Sequence, residues 1–251
     1  EGSTDIVIPH ELSGRTLRHF SPGGQRKSAG LDIYRVDRVK PPGYPDRMAI
    51  HLHINDLPPG LTFGDSVALD SEAMGLQPHR DRLCVVQMSR GDGDCHLVHF
   101  PPPGDYSAPN LKANLGDPAV LKIFHFARFD LAIIQHYLGV SCEPVYCTKI
   151  VSKLVRTFTD RHGLKDLCRD LIGVEVSNQQ QSSDWGAAEL TPEQQTYAAS
   201  DVLHLHEIKK VLDDMLAREG RTEMAQACFD FLPHRALLDL AGWEEVDIFH
   251  H

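Results

Sequence analysis

The sequence predicts an α/β protein: a mixed sheet, part antiparallel meander and part parallel strands, flanked by helices. Three observations predict it. Residues 66–100 hold three short apolar runs, SVALDSEAM, LCVVQMS and CHLVHF, separated by the loop GLQPHRDR and the tight turn GDGD, which is the pattern of a meander. Residues 120–148 then alternate strand, helix and strand, as VLKIFHF, ARFDLAIIQHYLG and PVYCT, a spacing that makes parallel pairing possible. From residue 149 onwards the apolar residues recur mostly at helical spacing.

Taken in order, AIHLHIN from residue 49 reads as a short strand, and DLPPGLTFGD turns the chain into SVALDSEAM. LKANLGD reads as a short helix. VLKIFHF is compact and apolar, as a buried strand must be. ARFDLAIIQHYLG has helical spacing and stops at Gly139. KIVSKLVRTF, GLKDLCRDLIG and the long run from Thr191 to Gly220 read as helices. The last carries Thr191 as N-cap, Pro192 at the first helical position and Gln194 three residues after the cap, a capping box. TEMAQACFDFLPHRALLDLAGWEE reads as one or two further helices.

Residues 1–47 differ from the rest. SPGGQRKSAG and KPPGYPDR are rich in Gly, Pro and charge, and the segment's 8 Lys/Arg and 6 Asp/Glu give it +2, leaving −12 for residues 48–251. It reads as an N-terminal appendage, flexible or outside the core, with one short strand over Asp32–Val36; residues 48–251 read as the functional domain. A composition of 41% hydrophobic and 24% charged residues is that of a soluble globular protein. No apolar run has the length of a membrane-spanning helix, and EGSTDIVIPHELSGR is no secretory signal, so the expectation is a cytoplasmic protein with no membrane partner. The six cysteines form no CxxC pair, which predicts free thiols in a reducing compartment. A formal net charge of −10 disfavours long duplex nucleic acid but permits a short substrate in a local basic pocket.

Two acids, Asp70 and Glu72, interrupt the apolar run SVALDSEAM one residue apart. In a strand both point to the same face, where they either mark solvent or share a cation. Asp130 opens the helix after the buried strand, a place that suits any carboxylate and also a place where α/β sheets hold ligands. Tyr197 and Asp201, four apart, share an otherwise apolar helical stripe with Leu205 and Ile208 and must find partners there. Together the four carboxylates can hold two divalent cations, with Tyr197 orienting or deprotonating a water for attack on a phosphodiester. All-oxygen ligands suit Mg2+ or Mn2+.

This ordered set, DxE on a strand, Asp after a second strand and YxxxD on a late helix, resembles the DEDDy 3′–5′ exonucleases of the ribonuclease D-like group. The stretch HGLKDLCRDLIGVEVSNQQQSSDWGAAELTPEQQTYAASDVLHL is similar to ribonuclease D, and DSEAMGLQPHRDRLCVVQ, PVYCTKIVSKLVRTFTDRHGLKDL and GWEEVDIFHH are most similar to the nanoRNase C enzymes. The resemblance implies a ribonuclease H-like fold and a metal-dependent exoribonuclease that cuts very short oligoribonucleotides, dinucleotides included, to 5′-mononucleotides. It implies a ring-like homo-oligomer such as an octamer. Asp70, Glu72, Asp130 and Asp201 would bind metal, with Tyr197 completing the catalytic set. Met74, Gly75 and Leu76 follow the DxE strand, and in short-RNA exonucleases a leucine at the position of Leu76 wedges between two bases. Ser71 stands where the family more often has Thr and falls on the strand face opposite the carboxylates.

Further substrate contacts are expected from His125, Phe126 and Arg128 beside Asp130, and from Lys149, Lys153 and Arg156 on one helix face, with His162 as an added donor. The polar run SNQQQSSDW, with Gln180, Ser183, Asp184 and Trp185 matching the family, is expected to line the substrate. Two other functions remain open at this point: an exonuclease on longer RNA or single-stranded DNA, which would need an extended basic track, and a non-catalytic RNA-binding protein.

Overall fold

The structure is a computed structural model and describes residues 4–6, 48–177 and 179–250. The expected strand over Asp32–Val36 lies outside the described residues. The strands are β1 (Thr4–Ile6), β2 (Ala49–Ile54), β3 (Ser66–Ala73), β4 (Leu83–Ser89), β5 (Asp94–His99), β6 (Leu121–Phe124) and β7 (Val145–Cys147). They form one sheet in the order β1-β2-β5-β4-β3-β6-β7. β3, β4 and β5 are the antiparallel meander; β6 pairs parallel to β3, and β7 parallel to β6. β1 pairs antiparallel with β2, so three residues of the N-terminal segment extend the edge of the sheet.

β4 is the middle strand and all seven of its residues are buried, as expected of a strand covered on both faces. The helices are α1 (Pro109–Leu115), α2 (Ala127–Leu138), α3 (Thr148–Val155), α4 (Leu164–Leu167), α5 (Pro192–Leu203), α6 (Leu205–Glu219) and α7 (Thr222–Leu238), with wider π-type turns at Cys168–Ile172 and Asp239–Trp243. α5 lies across β2, β5, β4 and β3, while α2 packs on β3, β4, β7 and α7. Gly139 closes α2 in the left-handed conformation at φ 69°, where a residue without Cβ meets no steric penalty.

The capping box at Thr191 forms as the sequence predicts: the Thr191 hydroxyl accepts from the Gln194 N–H at 3.2 Å and the Gln194 side chain accepts from the Thr191 N–H at 2.9 Å. The long helix expected from Thr191 to Gly220 is in fact two. It breaks at His204, which at φ −105° and ψ −6° closes α5 and opens α6. Helix breaks are usually marked by Pro or Gly; neither stands here, so the sequence carries no signal of the break. Five cysteines are buried thiols and Cys228 is half-buried.

Candidate active site

Strand periodicity brings the first two acids together. Asp70 and Glu72 leave β3 on one face and Ser71 leaves it on the other. The β3–β4 register slips between Glu72 and Ala73, where β4 carries an extra residue, Cys84. Such a bulge bends the strand end and re-aims its side chains. Asp201 descends from α5, which lies across β3 and β4. One oxygen from each of Asp70, Glu72 and Asp201 falls within 4.8 Å of the others, so acids remote in sequence form one cluster.

Asp130 completes the group from the first turn of α2 but is not part of that tight trio. It is 3% exposed, and the Ser71 hydroxyl donates to its Oδ1 at 2.5 Å. Ser71 does fall on the strand face opposite Asp70 and Glu72, and there it has a partner that its position in the sequence does not indicate. Facing away from Asp70 and Glu72 is what lets it hold the fourth carboxylate in place from the α2 side.

Burial and mutual repulsion act together on these groups. Asp70 is held well above the ordinary carboxylate range by burial first, then by Asp130, Asp201 and Glu72. Burial, Asp201 and Asp130 push Glu72 up to about 9. Burial raises Asp130 and Asp201 to about 7 each, against the hydrogen bonds from Ser71 and Tyr197 respectively. The Tyr197 phenol is also pushed up, by burial and then by Asp201, Glu72 and Asp70. It is therefore a hydroxyl donor at neutral pH, suited to orienting a water and not to deprotonating one. A set of half-buried carboxylates whose neighbours are mainly each other needs cations to ionise fully. The donors are all oxygen, which fits Mg2+ or Mn2+.

Two supports of the site are absent from the sequence-based expectations. Gln87, fully buried opposite Asp70 in the β3–β4 register, donates through Nε2 to Asp70 Oδ2 at 3.4 Å. A lone amide in the otherwise apolar strand LCVVQMS is the signal that could have found it. Gln194, the capping-box residue, also donates to Ser183 Oγ at 3.1 Å and to the Asp184 carbonyl at 3.0 Å. It thereby fixes the loop before α5 onto the helix that carries Tyr197.

The expected substrate residues divide into two groups. Leu76 is 83% exposed, Met74 60% and Phe126 48%, so three large apolar side chains that lie close to Glu72 or Asp130 in the sequence stand in solvent. A Cβ at Gly75 would fall 2.3 Å from Asp81 Oδ2, so any larger residue there would have to displace the Asp81 carboxylate. Phe126 adopts φ 69° as the residue before α2, an unusual conformation for a bulky residue and one often retained at ligand sites. Lys149 Nζ sits 4.0 Å over its ring. His125 Nδ1 lies 2.9 Å from Thr148 Oγ1. Gln180 is half-buried and its carbonyl accepts from the Ser183 N–H at 3.0 Å within the same loop.

Three expectations need correction. Arg156 does not share an exposed face with Lys149 and Lys153: α3 ends at Val155, and Arg156 turns inward, 3% exposed, to pair with Asp170 at 2.6 Å. Arg128 is committed to the C-terminal region, donating to Asp239 at 2.6 and 2.8 Å and to the Glu244 carbonyl at 2.6 Å. Trp185 is 2% exposed and packs against Tyr197 with ring centroids 6.0 Å apart, so it backs the tyrosine and does not face substrate. His162 is likewise engaged, at 2.8 Å from Ser152 Oγ.

With this geometry in place, residues 55–217 match the family described as 3′–5′ exonuclease. The chain belongs to that family. Its ribonuclease D-like character is equally plain. Ribonuclease D of Gluconacetobacter diazotrophicus is 34% identical over 157 residues, which are 62% of this chain and 39% of that protein. The chain thus spans about two-fifths of the length of that relative. Brucella melitensis NrnC bound to pGG superposes with a TM-score of 0.78 at 54% identity, covering 81% of this chain and 99% of that one. The same protein with bound Mg2+ gives 0.77 at 54% identity, covering 80% and 98%. Among the described residues no helix of this exonuclease-family chain is long and apolar enough to cross a membrane.

Proposed function

We propose that this protein is a metal-dependent 3′–5′ exoribonuclease that degrades very short oligoribonucleotides to 5′-mononucleotides. The observation that carries the reading is the convergence of Asp70, Glu72 and Asp201 within 4.8 Å, with Asp130 beside them. Bound divalent cations, two per site, supply a Lewis acid for the attacking water and for the leaving oxygen. Asp70, Glu72 and Asp201 hold them; Asp130, fixed by Ser71, completes the ligand set. Tyr197 orients the water through its hydroxyl. Leu76, Met74 and Phe126 offer apolar surface against which bases stack, and Lys149 offers a cation to a phosphate.

Short substrates are favoured by what is close to the site and by what is not. The exposed apolar residues lie close in sequence to Glu72 and Asp130, while Arg128 and Arg156 are engaged in internal ion pairs, which shortens any basic track for a long strand. The NrnC structure bound to pGG supports the same length class. The exposed apolar side chains at the C-terminal end, Leu237, Trp243, Val246, Ile248 and Phe249, support assembly into a homo-oligomer, an octamer by family resemblance. Residues 48–251 would form the working domain in the cytoplasm, with 1–47 appended.

The test is cleavage of a diribonucleotide against a twenty-nucleotide RNA with Mg2+ or Mn2+. The reading requires faster turnover of the dinucleotide. Preference for the long strand would replace it with a processive exonuclease, and no metal-dependent cleavage of either would leave a binding protein.

A further inference from the structure

His125 sits at the carboxyl end of β6. The last parallel register pair on one side is Leu69 with Phe124, and on the other Phe124 with Cys147. One step further along the strands, His125 falls between Asp70 and Thr148. It is half-buried, directly before the exposed Phe126 and beside Lys149.

Its hydrogen bonding fixes its tautomer. The Thr148 hydroxyl is buried and has one proton, which it donates to the Phe124 carbonyl at 3.1 Å. Oγ1 can then only accept from His125, at 2.9 Å, so the ring proton is on Nδ1. Nε2 is left as a lone-pair acceptor on a half-buried ring. Burial, and then the nearby Lys149 charge, lower its pKa to about 3, which favours the neutral ring.

An acceptor cannot bind a phosphate diester, whose free oxygens are acceptors themselves. The donors that a terminal nucleotide brings beside the scissile bond are its ribose hydroxyls. The geometry points to His125 Nε2 as an acceptor for a ribose hydroxyl of the bound nucleotide, with Thr148 as the residue that sets its tautomer. This rests on the exoribonuclease reading above and adds the sugar to what the site reads.

The test compares a diribonucleotide with analogues lacking the 2′-hydroxyl or the 3′-hydroxyl of the terminal nucleotide, using the full chain with Mg2+. Wild type should favour one hydroxyl-bearing sugar by about tenfold in kcat/KM, the worth of one neutral hydrogen bond. His125→Ala should lose that preference, lowering the ribonucleotide rate towards that of whichever analogue is missing the contacted hydroxyl. Thr148→Val, which keeps the shape and removes the hydroxyl that sets the tautomer, should move the preference the same way. The identity of the analogue that wild type discriminates against assigns the 2′- or the 3′-hydroxyl. Equal loss on all three substrates in His125→Ala overturns the ribose contact and leaves the exonuclease standing. Failure of wild type to cut any of them overturns both.

Discussion

Replacing Ser71 with alanine removes a single hydroxyl whose loss should reach the metal site. That hydroxyl is the side-chain donor to Asp130 Oδ1, at 2.5 Å, and both groups are buried. A hydrogen bond to a charged group contributes about 1.5–3 kcal/mol, and one pKa unit corresponds to about 1.4 kcal/mol. Losing it should therefore raise Asp130 from about 7 by roughly one to two further units. At pH 7 Asp130 then goes from about half to almost fully protonated, so the metal-free enzyme must give up roughly half a proton more to bind cations, and about tenfold more Mg2+ should be needed for half-maximal activity. The acid limb of the pH–rate profile should move up by about one unit, and higher pH should restore much of the loss. Ser71→Thr keeps a hydroxyl and should stay near wild type. The assay is dinucleotide hydrolysis across pH 6 to 9 at several Mg2+ concentrations. A Ser71→Ala enzyme with the wild-type profile and Mg2+ requirement would refute the argument that this hydroxyl sets Asp130.

Stability should depend on pH in a way that metal reverses. Glu72 rises from 4.5 to about 9 on folding without metal, so between those values the folded state keeps a proton that the unfolded chain releases. Stability therefore falls as pH rises through this window, by about 1.4 kcal/mol per pH unit for each such carboxylate; melting in EDTA from pH 5 to 9 should show the fall, Mg2+ should offset it, and a flat EDTA curve would contradict the raised values. Tyr197→Phe should lose at least about a hundredfold in kcat while calorimetry shows metal binding retained; unchanged turnover would move the water-orienting role elsewhere. Arg128→Ala should lower Tm by about 2–4 °C, because a partly exposed tie to Asp239 and Glu244 contributes about 1 kcal/mol, and should leave KM alone. A raised KM at unchanged Tm would return Arg128 to the substrate.

The legible parts of the fold are those governed by short-range periodicity. Strand alternation places Asp70 and Glu72 on one face, the GDGD turn makes the hairpin, and the Thr191–Gln194 box opens α5 where expected. The illegible parts depend on contacts across the fold. No local pattern says that Ser71 faces an acid on α2, that Gln87 stands opposite Asp70, or that Arg156 lies past the end of its helix and turns inward. Arg128 behaves likewise: basic and next to Asp130 in sequence, it is claimed by Asp239, 111 residues away. Charge spacing on a helix identifies a face only as far as the helix runs.

Metal binding measured by calorimetry, alongside hydrolysis of a diribonucleotide, tests the central claim most directly. Wild type should take up two Mn2+ per chain and cut the substrate, and Asp70→Asn should lose both the tight binding and the cleavage while keeping its melting transition in EDTA. An Asp70→Asn protein that binds Mn2+ and cuts the dinucleotide as wild type does would show that the cluster of acids is not the catalytic centre.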